Sequence, residues 1–288
     1  MLLIRQVLVG ILIGALVAPA VWAADADNNS LVIGVFPRQK TTTTFKCFTP
    51  LAQYLSQVLH RNVILETAPD YATFMSELNT SRYDIVHFNQ YHYVRAHKTL
   101  GYEVIAMNEE NGSGTIQGTI AVSAKSGVQN VQQLRNSKIV FGGGPEAMMS
   151  YVVPTFLLRS AGLQQGDYHE EFAKNPVNAL LAVYYGQAQA AGVGKLAEQL
   201  PDLTEQYENH GYTYLVVSEP LAHLPWAVKA TMPEDLSQQI QAALIALKHT
   251  EQGRRILDEA NLTGLLPAKD ADYNRHRQII ATILGERY

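Results

Sequence analysis

The residues best suited to chemistry lie in "FGGGPEAMMSYVVP", Phe141 to Pro154. Three glycines follow a short apolar run and precede the start of a helix. Such a turn aims backbone N–H groups at an anion. Gly143 and Gly144 are the candidate donors, and backbone donors need no particular side chain. The side chains are not those of a phosphate loop. No lysine, serine or threonine appears until Ser150, and Glu146 opposes an anion at the helix start. Met148 and Met149 read either as gap-filling apolar groups or as thioethers suited to a soft centre such as Cu(I).

The single cysteine, Cys47, has two readings as well. It is a small buried hydrophobe, or a thiol of lowered pKa in a loop ahead of a helix start, with Lys46 beside it. In the second case Cys47, Met148 and Met149 would face one cleft and hold a metalloid such as arsenite. His87, His92 and His97 recur at intervals of five, a poor pattern for zinc. Arg38, Lys40 and Lys46 follow the first strand and are placed to balance an anion. No G-x-x-x-x-G-K-[ST], dinucleotide fingerprint, G-x-S-x-G elbow or H-E-x-x-H occurs. Neither a catalytic constellation nor a cofactor is expected.

These residues need a scaffold, and the chain is long enough to provide one. It has 288 residues, 47% of them apolar, and a net charge of −4, which argues against a nucleic-acid surface. Residues 1–23 read as a cleavable signal peptide: Arg5, an apolar stretch from Val7 to Val21, and small-residue cleavage after Ala23. No cysteine follows that stretch, so no lipoprotein anchor is expected. The predicted product is a periplasmic monomer without an internal disulfide.

Strands and helices then alternate. "LVIGVFP", "NVILE", "YDIVHFN" and "YEVIAMN" read as strands. "TPLAQYLSQVLH" reads as a helix with Thr49 as cap and Pro50 at its first position, and "DYATFMSEL" as a helix capped by Asp70. "NEENGSG" (Asn108–Gly114) breaks the rhythm and marks a crossover. Beyond it come strands at "TIAVSA" and "KIVFGG" and a helix near Pro145. Pro154 either kinks that helix or leaves it to start near Tyr151. "PVNALLAVYYG" is a helix capped by Asn175. "YTYLVVS" reads as the strand returning to the first lobe, and the tail from Pro233 as helical. The alternation predicts an α/β fold of mostly parallel sheets. The lobes are residues 24–114 plus 219–288, and 115–218. A ligand would bind between them, at the Pro37–Thr49 loop and the "HFNQY", "GGGPEAMM" and "KNPVN" turns.

Four stretches carry a resemblance: "DYATFMSELNTSRYDIVHFNQYHYV", "LRNSKIVFGGGPEAMMSYVVPTFLL", "NALLAVYYGQAQAAGVG" and "DADYNRHRQII". With these the chain resembles the PhnD-like periplasmic binding proteins for phosphonate, phosphite and phosphate. The resemblance implies a two-lobed, type II-like fold that closes on a small oxyanion or related polar solute. An inner-membrane ABC permease, or alternatively a sensor kinase, would read the closed form. Tyr71, Asn89 and Tyr91 match family positions that approach the ligand. The family's Ser-Thr-Ser-Gly turn matches Ala147, Met148, Met149 and Ser150, so its three leading hydroxyls are absent. The family's histidine ahead of the "ALLAV"-like helix is also missing, since "KNPVN" stands there.

Overall fold

The computed structural model describes residues 30–195 and 211–288. The signal-peptide reading of residues 1–23 lies outside the described residues. The strands are β1 (Leu31–Val35), β2 (Val63–Thr67), β3 (Ile85–His87), β4 (Tyr102–Glu109), β5 (Thr115–Ile116), β6 (Gly118–Ser123) and β7 (Lys138–Phe141). They continue with β8 (His169–Phe172), β9 (Ala190–Gly194), β10 (Tyr212–Val217), β11 (Leu221–Ala222), β12 (Pro225–Lys229) and β13 (Gly264–Pro267). The helices used below are α1 (Thr41–Leu59), α2 (Tyr71–Asn79), α3 (Gln90–Leu100), α4 (Val153–Ser160), α5 (Pro176–Tyr184), α6 (Glu234–Ala246), α7 (Glu251–Glu259) and α8 (Asn274–Leu284).

One sheet has the order β13-β4-β12-β3-β1-β2, the other β10-β6-β9-β7-β8. In the first, β1 to β4 share one direction, opposed by β12 and β13. In the second, only β6 opposes the rest. Both sheets are flanked by helices, so the fold is α/β with mostly co-directional strands. The chain passes between the sheets twice, and the two passages are tied by a short antiparallel ribbon, β5 with β11. "NEENGSG" forms the turn that leads into this ribbon, closed by a Glu110–Ser113 bridge.

Local signals place several elements as expected. Asp70 caps α2, its Oδ1 accepting from the Thr73 N–H at 2.8 Å. Asn89 caps α3 through the Tyr91 N–H at 2.9 Å. α1 departs from its signals. It begins at Thr41, eight residues before the expected cap, and carries Pro50 inside. Thr44, Cys47, Leu51, Leu55 and Leu59 are buried at helical spacing, so packing of one continuous face overrides the proline. Cys47 is therefore within a helix and not in a loop ahead of one.

"YTYLVVS" is a second correction. It forms β10 and stays in the second sheet beside β6. The strand that enters the first sheet is β12, inserted between β3 and β4. It begins with Pro225, which disguises an interior strand although proline is tolerated at a strand's first residue. The tail is likewise not purely helical, because β13 lies between α7 and α8.

The helical run does not wait for a start at Tyr151. Met148–Val152 form a π turn, with the N–H groups of Tyr151 and Val152 both donating to the Ala147 carbonyl at 2.8 and 3.2 Å. Pro154 follows directly, inside a helical run already under way from Met148, and the wider π hydrogen bonding just before it accommodates its missing N–H. A single apolar core runs from Phe88 and Tyr91 on the first sheet's side to Phe141 and Met148 on the second's. α8 packs on both α3 and α4, and Arg159 of α4 donates to the Thr282 carbonyl at 2.7 Å.

Candidate functional site

A cavity of about 390 Å3 lies between the two sheets. Its second-sheet wall is built from two helix starts. Gly142, just past β7, lets the strand end lie against the start of α5, because a Cβ there would sit 2.5 Å from the Pro176 Cα. At α5, Asn175 Oδ1 accepts from the Asn178 N–H at 2.9 Å, and Pro176 has no N–H. At the π turn leading into α4, Ala147 provides no side-chain cap. The N–H groups of Met148, Met149 and Ser150 have no acceptor among the described residues. All three residues are buried. Buried backbone donors are normally paired, so this start presents unspent N–H groups to the cavity.

Cations line the same space: Arg38 from the loop after β1, Lys174 ahead of α5, and Lys195 after β9. The Lys195 ammonium reaches Gln117 Oε1 at 3.4 Å. Arg38 lies 3.7 Å from Glu110, which is also 3.4 Å from His223 Nε2. Burial alone would raise the Glu110 carboxyl, but His223, Arg38 and His87 together bring it down to about 2. It is an ionised group committed to its neighbours. Phe36, Ile116 and Leu224 add apolar wall.

Glu146 does not oppose an anion in the cavity as expected. It turns to the first lobe, accepting from His92 Nε2 at 2.9 Å, with Arg95 at 3.8 Å. Burial lowers the His92 pKa and outweighs the raising effect of Glu146, so a neutral imidazole donates to a carboxylate. Tyr71 stacks on the same ring, with centroids 4.8 Å apart and planes 17° from parallel. Burial raises the Tyr71 phenol, leaving it a neutral wall.

Of the residues singled out in the sequence, the structure brings Tyr71, Asn89, Gly143, Met148, Met149, Ser150 and Asn175 to the cavity. Asn89 and Asn175 spend their oxygens as helix caps. Three others lie elsewhere. Gly144 is exposed at the turn's tip, with nothing near its Cβ direction. Tyr91 donates its hydroxyl to Glu286 at 2.8 Å, away from the cavity lining. Cys47 is buried on α1 with Sγ 4.0 Å from Gln39 Oε1. Burial raises its thiol pKa against the opposing effect of Lys46, the reverse of the expected activation. The two methionines thus line the cavity and the cysteine does not. Among the described residues no group of three or more His, Cys, Asp or Glu is placed to hold a metal.

Several lining residues escaped the sequence reading. Lys174 opens the "KNPVN" turn and Glu110 sits in the crossover, so position was their available signal. Gln90 belongs to the "HFNQY" turn, so position was its signal too, whereas His223 offered none and becomes a site residue only through the ribbon that joins the lobes.

A family model for "ABC transporter, phosphonate, periplasmic substrate-binding protein" matches residues 33–273. PhnD1 from Prochlorococcus marinus, solved with methylphosphonate, is similar at a TM-score of 0.77 and 16% identity, over 90% of this chain and 99% of that one. A binding component of an ABC phosphonate transporter from Pseudomonas aeruginosa matches at 0.76 and 14%, over 90% and 87%. XAC2383 from Xanthomonas citri, solved with ATP, matches at 0.74 and 15%, over 89% and 98%. At these identities the structural likeness speaks for the fold. The family match spans most of the chain, which belongs to the periplasmic substrate-binding proteins of phosphonate ABC transporters.

Proposed function

We propose that the cavity captures a small organic oxyanion of the phosphonate class and that the protein delivers it to an ABC importer. The carrying observation is the uncapped start at Met148–Ser150, whose buried N–H groups have no acceptor. An oxyanion supplies the missing acceptors, and Lys174, Lys195 and Arg38 supply compensating charge. Backbone donors here do the work of the hydroxyls that Ala147, Met148 and Met149 lack. Structural relatives support the class: PhnD1 was solved with methylphosphonate, XAC2383 with ATP. Both ligands present phosphoryl oxygens. The lobes we assign are residues 24–114 with 219–288, and 115–218, with the β5–β11 ribbon as the hinge. Residues 1–23 serve as the cleaved leader.

Thermal unfolding against methylphosphonate, phosphite, phosphate, sulfate, arsenite and Cu(I) tests the reading. A ligand binding only the folded state at 100 times its Kd adds about 2.7 kcal/mol. A shift with a phosphorus oxyanion is expected. A shift with arsenite or Cu(I) and none with any oxyanion of phosphorus would overturn the proposal in favour of the methionine sulfurs.

A further inference from the structure

Gln90 is the first residue of α3 and is wholly buried, yet it lines the cavity. Its amide has a defined orientation. Nε2 donates to the Ala222 carbonyl of the hinge ribbon at 3.4 Å, a partner that only the nitrogen can serve. Oε1 is buried with no hydrogen-bond partner among the described residues. The nearby acceptors are already engaged: Asn89 Oδ1 by the Tyr91 N–H, and Glu110 by His223 and Arg38. The second-sheet wall offers donors at Met148–Ser150, whereas Gln90 offers an acceptor. An anion satisfies the first set and leaves the second unmet.

We propose that Gln90 is a specificity residue, selecting oxyanions whose substituent carries a hydrogen-bond donor such as a hydroxyl or ammonium group. This rests on the phosphonate-class reading above. A site built around a buried acceptor rejects a ligand of the same shape that lacks the donor, because the acceptor then stays unpaired.

The test pairs 2-hydroxyethylphosphonate with n-propylphosphonate, which have the same charge and nearly the same shape and differ by OH for CH3. Calorimetric titration of the wild-type protein should favour the hydroxyl compound by about tenfold or more. Gln90→Met keeps the side-chain length and removes the acceptor, and should bring the two affinities within about twofold. Equal wild-type affinities would overturn the role of Gln90 while phosphonate binding stood. A preference that survived in Gln90→Met would assign the hydroxyl to another group and overturn it too. Binding of neither compound, nor of methylphosphonate, would remove both readings. Where Gln90→Met does not fold, the wild-type ratio decides.

Discussion

The two helix starts that meet at the cavity are finished in opposite ways. α5 is mostly closed: Asn175 accepts from Asn178, Pro176 has no donor to leave unpaired, and the Val177 N–H alone in that turn lacks an acceptor among the described residues. The π turn into α4 does not: Ala147 offers no oxygen, and three buried N–H groups remain open. A start that caps itself is stable without a ligand. One left open in a buried site is a place for a ligand. The contrast also explains how this chain can lack the family's hydroxyl turn. Hydroxyls at Ala147 to Met149 could compete with a ligand for those N–H groups, whereas alanine and methionine leave them available.

Gly142→Val should blur the comparison most. The new Cβ collides with backbone of Pro176 and not with a mobile side chain. The end of β7 and the start of α5 would be forced apart, at a cost of about 3 kcal/mol of stability and with loss of measurable phosphonate binding. A variant with wild-type Tm and affinity would show that their close approach is unimportant.

Acid should act on the scaffold behind both starts. His87, stacked on Trp226 with centroids 4.4 Å apart, is held down to about 3 by burial first, with Arg38 and His223 adding to it. Burial likewise holds His276 to about 3. Both folded pKa values lie below the ordinary value of about 6.5. The unfolded chain therefore takes up protons that the fold refuses. Stability is fully present above about pH 6.5 and falls toward pH 3, by about 1.4 kcal/mol per pH unit for each ring. Denaturant melts at pH 7, 6 and 5 measure this, and a flat profile would contradict it.

The sharpest comparison uses three variants. Met148→Ala removes a side chain and keeps its N–H; Met148→Pro removes both. Ala147 is extended at φ −77° and ψ 99°, which suits the residue before a proline. The affinity ratio between the two variants isolates one donor and should be about tenfold. Asn175→Ala should lower stability by about 1 kcal/mol, with a smaller loss of affinity than Met148→Pro. The reverse order would make α5 the ligand-holding start.

Much of this architecture was legible in the sequence because its signals are local. Asp70 and Asn175 act on N–H groups three residues ahead, and the strand–helix alternation follows from apolar spacing. The Gly-rich turn was readable as cavity wall for the same reason, although Gly143 lines the cavity and Gly144 does not. Cys47 was misplaced because Thr49 and Pro50 looked like a helix start, and only packing along α1 shows that the helix is already running there. Tyr91 was misplaced because its partner, Glu286, lies 195 residues away.

The α/β class, the Asp70 and Asn175 caps, the crossover and the turn that lines the cavity were written in the sequence. Each of these depends on a few neighbouring residues and on backbone geometry that side-chain type controls directly. Only the packing of the whole chain decided that β12 enters the first sheet, that Glu146 turns to His92 across 54 residues, and that Gln90 reaches Ala222 across 132. Those outcomes depend on which surfaces meet when the two sheets pack, and no short stretch of the chain carries that information.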